Sequence, residues 1–385
     1  MIKAIDLVLY ILYWVPTTYL GIFAIASLFR KKEPTPSLIN ARKMLILIPA
    51  YREDNVIEDS VNSCLAQVYP SDKFEVVVIS DKMKDETNLR LSKMAIKLIQ
   101  VQFDQSTKAK SLNYAIQQFE GFDVAIVLDA DNVIEPLYLQ KLNGAFEAGY
   151  KIIQTHRTAK NLNTNFAVLD AVSEEINNSI FRKGHANIGM SAALIGSGMA
   201  FEFEHYKKLI DNVLSVGGED KELEHVVLLN RYKIHYLHRA VVLDEKIQRS
   251  SDFSNQRKRW LSAQLEILWR FLPEFTFAIR QRNIDFCDKV IQMAFPPRIL
   301  LIGVLFILTA GTTLFSPELS PKWWGLLVFF LSILSGCIPR RLFSMKLVHA
   351  LSSIPYVFIL MFANLFKLKG AGKHFIHTPH GTVEK

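Results

Sequence analysis

Acidic residues that follow apolar runs are the strongest chemical signal in this chain. Asp129 and Asp131 come directly after the run VAIVL and are separated by one residue. Mg²⁺ and Mn²⁺ prefer oxygen ligands and are often held by one or two carboxylates together with substrate phosphate oxygens. The pair therefore fits a divalent-metal site. The alternative is a structural role, in which both acids cap the next helix or stabilise a turn.

Other charged residues stand beside similar patterns. Glu53 lies shortly after MLILIP, Asp81 ends FEVVVISD, and Lys108 precedes a helical pattern. A lysine in such a place contacts phosphate groups well because its hydrogen bonds are charge-assisted. Taken singly, each of the three is also explained as a helix cap, a turn residue or a solvated surface charge.

Two motifs follow in the second half of the chain. Gly218, Glu219 and Asp220 begin a helical pattern, where a carboxylate could remove a proton from an acceptor hydroxyl or simply complement the helix dipole. The run QRKRW, residues 256–260, lies on a helical pattern that extends to about residue 271. A helix of this kind ahead of apolar segments is expected on a membrane surface, where it could also be a plain basic anchor.

The elements that must position these residues alternate along the chain. Apolar runs are followed by helical patterns, which predicts a parallel sheet covered by helices on both faces. Ligands of such sheets bind at the carboxyl ends of the strands, where the acids stand. The predicted strands are 44–49, 74–80, 96–103 and 124–129, and the predicted helices are 56–66, 110–119, 137–146 and 221–229.

Apolar residues are concentrated at the two ends of the chain. Half of the 385 residues are hydrophobic and about a fifth are charged, which excludes a disordered protein. The run from residue 5 to residue 29 is long enough to cross a bilayer, and the basic flank at residues 30–32 predicts that the following segment is cytoplasmic. A cleaved signal peptide is the alternative, because residues 24–26 resemble a cleavage site.

Three more apolar stretches cover residues 299–315, 323–338 and 351–366. Arg340, Arg341 and Lys346 predict a cytoplasmic loop between the last two. If all four segments crossed the membrane, the basic tail from Lys367 would lie outside, against the positive-inside tendency. We therefore expect one of the late segments to be re-entrant or to lie at the membrane interface.

The net charge of +8 does not indicate a nucleic-acid partner. The excess lies at the membrane flanks and at residues 257–259, where lipid head groups or a pyrophosphate explain it. The three cysteines, Cys64, Cys287 and Cys337, are widely spaced, so that neither a disulfide framework nor a zinc site is indicated.

Taken in order, the motifs resemble glycosyltransferase family 2, in particular its membrane-bound branch with the cellulose, chitin and hyaluronan synthases. The resemblance rests on PAYRED (49–54), Asp81, KAKSLN (108–113), DAD (129–131), GED (218–220) and QRKRW (256–260). It implies an α/β fold of the GT-A (Rossmann-like) type, with a mixed, mostly parallel sheet flanked by transmembrane helices. The domains implied are an N-terminal transmembrane helix (1–30), a cytoplasmic glycosyltransferase domain (40–250), interfacial helices (251–285), C-terminal transmembrane helices (290–368) and a tail (369–385).

The resemblance also implies a role for each motif residue. Asp220 would be the general base with Glu219 beside it, Asp131 and Asp129 would hold the metal, and Trp260 would bind the acceptor. The residues implied to bind the nucleotide sugar are Glu53, Asp81, Lys108, Asp129, Gln256 and Arg259. The second strand ends in Ser80 and Asp81 instead of two aspartates, which leaves the ribose contact open.

The activity implied is that of an inverting hexosyltransferase of the plasma (inner) membrane, using a nucleotide-diphosphate sugar, in the first place a UDP-sugar, and Mg²⁺ or Mn²⁺. Its acceptor would be a growing polysaccharide, as the QRKRW motif indicates. A single transfer to a lipid acceptor, such as a ceramide, a diacylglycerol or a polyprenyl phosphate, is the alternative, because the chain has fewer spans than the large polymer synthases. A non-catalytic membrane scaffold is a third reading, against which the complete set of acids argues. Membrane lipids are expected partners, and the sequence names no export partner.

Overall fold

A single eight-stranded sheet organises the residues that the computed structural model describes, which are 2–29, 31–213, 215 and 217–368. The order of the strands across the sheet is β3-β2-β1-β4-β7-β6-β8-β5. The strands are β1 (Met44–Tyr51), β2 (Phe74–Asp81), β3 (Lys97–Val101), β4 (Val124–Val127), β5 (Val133–Ile134), β6 (Ile152–Ala159), β7 (Met199–Glu202) and β8 (Ile234–Asp244).

The sheet is mixed, as the family resemblance implied. Strands β1 to β4 are parallel, and so are β6 and β8, whereas β7 runs antiparallel to β4 and β6, and β5 runs antiparallel to β8. All four predicted strands are confirmed as β1 to β4. Because β1, β2 and β4 are parallel, their carboxyl ends meet at one edge of the sheet.

Helices cover both faces of the sheet. Alternate residues of β1 enter opposite cores: Leu45 and Leu47 pack in one apolar cluster, and Met44, Ile46 and Ile48 in the other. This burial of both faces explains the unbroken apolar run of the strand. The helices of this part are α2 (Ile57–Leu65), α3 (Asp85–Leu91), α4 (Lys108–Ile116), α5 (Tyr138–Glu147), α6 (Asn165–Asn177), α7 (His185–Asn187), α8 (Phe203–Ile210) and α9 (Glu219–Leu229).

The predicted helices are confirmed, and helix α3 and a π-helix are among the elements that were not predicted. Helix α3 occupies a segment that the sequence indicated only as polar. A π-helix, Asn178–Gly184, joins α6 to α7. There a Cβ on Gly184 would lie 2.1 Å from the carbonyl oxygen of Phe23, so that only glycine allows this close approach to the N-terminal helix.

The remaining helices begin with α1 near the N-terminus and continue after β8. They are α1 (Ile2–Leu28), α10 (Ser250–Phe271), α11 (Phe275–Arg280), α12 (Ile284–Ala294), α13 (Arg298–Phe315), α14 (Ser320–Gly336), α15 (Met345–Leu351) and α16 (Ile354–Leu365). The helix predicted to carry QRKRW is confirmed as α10. It contacts α9, α12 and α16, and therefore lies between the sheet domain and the last apolar helices.

Among the described residues, three helical segments are long and apolar enough to cross a membrane: Lys3–Leu28, Arg298–Phe315 and Pro317–Gly336. Helices α15 and α16 pass the same test together, but the chain bends by 45° between them. The predicted last stretch is thus a broken span or a re-entrant loop, in agreement with the conflict in the charge pattern. Arg30 and the predicted tail 369–385 lie outside the described residues.

Candidate active site

One cavity of about 790 Å³ lies between the carboxyl edge of the sheet and the apolar helices. It extends from the ends of β1, β2 and β4, past α9 and α10, to α13, α14 and α16. All ten residues singled out in the sequence line it: Glu53, Asp81, Lys108, Asp129, Asp131, Glu219, Asp220, Gln256, Arg259 and Trp260. The tertiary structure therefore brings the separate motifs to a single place.

Three carboxylates form a cluster with the geometry of a metal site. Asp129, Asp131 and Asp244 each offer an oxygen, and these oxygens lie within 4.8 Å of one another. Asp131 is 4% exposed, and its Oδ2 accepts a hydrogen bond of 3.0 Å from the backbone N–H of Glu245. Asn132 donates from Nδ2 to Asp131 at 3.0 Å and to Asp244 at 3.4 Å. Such outer contacts orient carboxylates for a metal.

Cations stand directly beside this cluster. Lys108 forms an ion pair with Asp129 and donates to the carbonyl oxygen of Gly196 at 2.6 Å. Burial works against its charge, but Asp129, Glu219 and Asp220 outweigh burial and raise the pKa of Lys108. The lysine therefore stays charged at neutral pH and is available to a phosphate group.

Arg157, on β6, is the second cation at the cluster. Its guanidinium lies 3.0 Å from Glu174, 3.8 Å from Asp244 and 4.0 Å from Asp129. Burial opposes the charged form, yet Asp244 and Glu174 raise the pKa of Arg157 well above its usual range. The arginine compensates the negative charge that the three carboxylates concentrate at the sheet edge.

Glycines allow the acidic start of α9 to approach the cluster. Gly218 has φ +79°, and a Cβ there would lie 2.8 Å from the Cβ of Ala263 on α10. Gly196 has φ +82°, and a Cβ there would lie 3.5 Å from the Cβ of Asp220. Both positions therefore favour glycine for conformation, and Gly218 also for space. Burial raises the pKa of Glu219, Lys108 opposes this rise, and Asp220 adds to it.

Several buried polar atoms that line the cavity have no hydrogen-bond partner among the described residues. Asp81 is 2% exposed, and among the described residues its Oδ1 has no hydrogen-bond partner. Gln256 Oε1 and Ser106 Oγ are also buried, and neither has a hydrogen-bond partner among the described residues. Because an unpaired buried polar atom is costly, such atoms in a cavity indicate a ligand that supplies the missing hydrogen bonds.

Helix α10 presents an aromatic ring to the cavity. Trp260 is 44% exposed, and the guanidinium of Arg257 lies 4.4 Å from the centre of its ring. Arg257 is itself fixed by an ion pair with Asp170 on α6. Burial lowers the pKa of Arg259, and Glu219 partly opposes that effect. The ring, Gln256 and Arg259 thus face the same space as the start of α9.

The part of the cavity that borders the apolar helices has a different lining. Its side chains are mainly aliphatic, and Ser335 is the hydroxyl-bearing exception among the lining residues of α13, α14, α15 and α16. The aliphatic lining residues on these four helices are Ile299, Leu301, Ile302, Leu331, Leu334, Leu351, Ile354, Val357 and Met361. We call this part the aliphatic chamber, and the part at the sheet edge the polar chamber.

Some site residues were missed by sequence reasoning. Asp244 follows AVVL, the same apolar-run-then-acid pattern that reveals Asp129, so this signal was available. Arg157 and Arg298 also line the cavity, but neither belongs to a recognisable motif. Only the fold brings them to the site.

Comparison with known proteins agrees with this geometry. A family model described as "Glycosyltransferase like family 2" matches residues 41–263, more than half of the chain. The chain belongs to glycosyltransferase family 2. The matched segment contains every residue of the acidic cluster, the GED motif and the QRKRW motif. Residues 41–263 accordingly form a glycosyltransferase domain.

Two curated glycosyltransferases are similar to parts of this chain. The chain is similar to "Probable glycosyltransferase YdaM" from Bacillus subtilis (strain 168), with 26% identity over 263 residues, covering 63% of this chain and 60% of that protein. The chain thus matches less than two thirds of this relative's length. A shorter segment of 97 residues is 30% identical to the poly(ribitol-phosphate) beta-N-acetylglucosaminyltransferase TarS of Staphylococcus aureus (strain Mu50 / ATCC 700699), covering 24% of this chain and 17% of TarS.

Among solved structures, the glycosyltransferase is similar to mannosyltransferase PcManGT from Pyrobaculum calidifontis, a complex with GDP-Man and Mn²⁺. The two chains are 15% identical, with a TM-score of 0.55 over 87% of this chain and 98% of the other. They therefore share a fold, in line with the GT-A-type architecture that the motifs implied.

Proposed function

We propose that this enzyme transfers a hexose from a nucleotide-diphosphate sugar, in the first place a UDP-sugar, to an acceptor hydroxyl with inversion at the anomeric carbon. The observation that carries the proposal is that one cavity joins the acidic cluster, Lys108 and Asp220. An inverting transfer needs one displacement and no covalent enzyme intermediate. The arrangement needs only to hold the two reactants in line and to stabilise the charge that develops.

The three carboxylates fit a divalent metal, Mg²⁺ or Mn²⁺. Asp129, Asp131 and Asp244 supply the hard oxygen ligands that these ions prefer, with mutual distances within 4.8 Å. When bound, the metal would neutralise part of the charge on the leaving diphosphate. Lys108 and Arg157 lie close enough to the cluster to share in that task.

The donor would bind along the polar chamber. The unpaired Oδ1 of Asp81 suits an N–H or O–H donor of the nucleoside, with Glu53 beside it in the cavity. Lys108, Gln256 and Arg259 would hold the diphosphate. These contacts leave the anomeric carbon of the sugar on the side of Asp220.

Asp220 would act as the general base. As the acceptor oxygen bonds to the anomeric carbon, its proton moves to the carboxylate of Asp220, and the bond from that carbon to the diphosphate oxygen breaks. The nucleoside diphosphate leaves with the electron pair. Glu219, adjacent in sequence and partly buried, would adjust the charge around both reactants through its interaction with Lys108.

We propose a lipid acceptor in preference to a polysaccharide, although QRKRW favours the polysaccharide. The reason is the aliphatic chamber, because placing sugar hydroxyls against aliphatic side chains costs free energy unless they find hydrogen-bond partners. A lipid chain needs no such partners. Elongation of a polysaccharide is the second candidate, and the exposed ring of Trp260 supports it, since a sugar could stack there.

We further propose that the enzyme is integral to the plasma (inner) membrane and belongs to the membrane-bound branch of its family. Three described helices have the length and hydropathy for spans, and their large apolar side chains point outwards, for example Phe306 and Leu314. The domain at residues 40–250 would lie in the cytoplasm, where sugar nucleotides are found. Helices α10 to α12 would lie at the membrane surface.

The first experiment is release of nucleoside diphosphate by the full chain in lipid nanodiscs, with a panel of UDP- and GDP-sugars and either Mg²⁺ or Mn²⁺. Wild type is compared with Asp220→Asn, and the product is sized by mass spectrometry. Metal-dependent release lost in the variant, with one sugar added to a lipid, is expected. Long polymer would establish the second candidate, and no turnover or donor binding under any condition would refute both.

A further inference from the structure

Arg298 is a positive charge of the cavity for which the described residues supply no acidic partner. It begins α13 and lines the cavity where the polar chamber meets the aliphatic chamber. Its Nη2 donates to Ser173, at 3.2 Å to the carbonyl oxygen and 3.3 Å to Oγ. Within the described part of the chain, its Nη1 is buried without a hydrogen-bond partner and no carboxylate lies within ion-pair distance of the guanidinium.

Two other arginines of the cavity, Arg257 and Arg182, are compensated. Arg257 pairs with Asp170, and Arg182 lies 2.9 Å from Glu174 and also donates to Asn178. The acids of this region are therefore already engaged, and Arg298 is a surplus charge beside them. An uncompensated charge at a largely buried position is unfavourable unless an anion is bound there.

The surroundings of Arg298 restrict what that anion can be. Next along α13 come Ile299 and Ile302, and Leu334 and Val357 line the same chamber. The polar chamber of the same cavity contains Asp220. An occupant that matches both sides has an apolar chain, an anionic group at the level of Arg298 and a hydroxyl-bearing head.

We propose that Arg298 binds the phosphate group of a phosphate-bearing lipid acceptor, whose chain occupies the aliphatic chamber and whose head group presents its hydroxyl to Asp220. This inference rests on the proposed lipid acceptor and names its chemical class. The guanidinium supplies charge-assisted hydrogen bonds to phosphate oxygens. It takes no part in bond making, so that Arg298 is a binding residue and the transfer proceeds as described above.

The test is lipid binding by the full chain in detergent micelles, measured by native mass spectrometry. The probes are dioleoyl phosphatidylglycerol and monoglucosyl dioleoylglycerol, which share their acyl chains and both carry hydroxyls, but only the first carries a phosphate. We expect wild type to prefer the phospholipid. Arg298→Gln should weaken phospholipid binding about ten- to a hundredfold, as loss of a charge-assisted hydrogen bond implies, and should leave the glucolipid unchanged.

Two variants control this result. Arg340→Gln removes a positive charge from an exposed position near the ends of α14 and α15 that does not line the cavity, and it should keep the preference. Arg298→Lys retains the positive charge and should keep most of the preference for the phospholipid. Binding of UDP to each variant reports whether the polar chamber is folded.

The outcomes separate the inference from the proposed function. Equal binding of the two lipids by wild type, or a preference that survives in Arg298→Gln, overturns the role of Arg298 even if sugar transfer is found. Competition by millimolar inorganic phosphate without any preference between the lipids would indicate a free-phosphate site and would also overturn it. Failure of wild type to bind UDP would instead count against the proposed function.

Discussion

The two chambers of the cavity differ in how their side chains are balanced. In the polar chamber, charges face one another: Lys108 pairs with Asp129, and Arg157 lies beside Asp244 and Glu174. In the aliphatic chamber, most of the lining side chains need no hydrogen-bond partners, the exceptions being Ser335 and, at the boundary, Arg298. A single cavity thus offers one environment for a highly charged ligand and another for an apolar one.

This difference explains why the two chambers respond to change differently. Removing one charge from the polar chamber leaves its partners buried and uncompensated, and so affects both chemistry and stability. A polar substitution in the aliphatic chamber should affect only what that chamber binds. The following predictions test this division, beginning with the largest expected effect.

Asp220→Asn should lower the rate of sugar transfer about 10²- to 10⁴-fold, the range typical for loss of a general base. Donor affinity should change little, because the proposed base contacts the acceptor. Steady-state kinetics and UDP binding measure the two quantities. Asp211→Asn, at the exposed end of α8, is the matched control and should behave like wild type. An active Asp220→Asn enzyme would remove this residue from the mechanism.

Asp244→Asn should weaken binding of the divalent metal by at least about 10- to 100-fold, because that range is typical even for groups that only orient the ligands of a metal. Titration of activity with Mn²⁺, and of Mn²⁺ binding by electron paramagnetic resonance, provides two readouts. Asp123→Asn is the control, because Asp123 precedes β4 at the opposite edge of the sheet and binds the backbone N–H of Lys43 at 2.7 Å. Equal metal affinity of the two variants would exclude Asp244 as a ligand.

Val357→Thr should raise the KM for a lipid acceptor about fivefold, because an added hydroxyl without a partner costs ~1 kcal/mol or more. Val357 is 4% exposed and lines the aliphatic chamber. Val348→Thr is the control on α15, where the side chain is 57% exposed and outside the cavity. A lower KM in Val357→Thr would favour a carbohydrate chain in this chamber.

Glu219→Gln should raise the melting temperature by a few degrees at pH 7. Burial raises the pKa of Glu219, so that the folded state pays to keep this carboxyl ionised above its folded pKa. As the pH falls below the ordinary pKa of a glutamate, the wild-type group is protonated in both states and the gain should vanish. Thermal unfolding at pH 7 and at pH 4 measures the difference, and a gain that is independent of pH would contradict this cause.

Much of the site could be predicted because its parts are local patterns. An apolar run followed by acids identifies the ends of β1, β2 and β4, and the strands form where expected. The sequence patterns did not predict helix α3, because no local signal for a helix stands out in its polar segment. The sequence indicated the bend between α15 and α16 only indirectly: with four spans, the basic tail would lie on the outside.

The sequence by itself determined the strand ends, the order of the motifs and the apolar helices, because side-chain periodicity and composition act over a few residues. Only the tertiary structure decided that Asp244 joins Asp129 and Asp131, that Arg157 compensates them, and that none of the described acids pairs with Arg298. These relations join residues far apart in the chain. They depend on the mixed strand order and on the packing of α13 against the sheet domain, which no local pattern encodes.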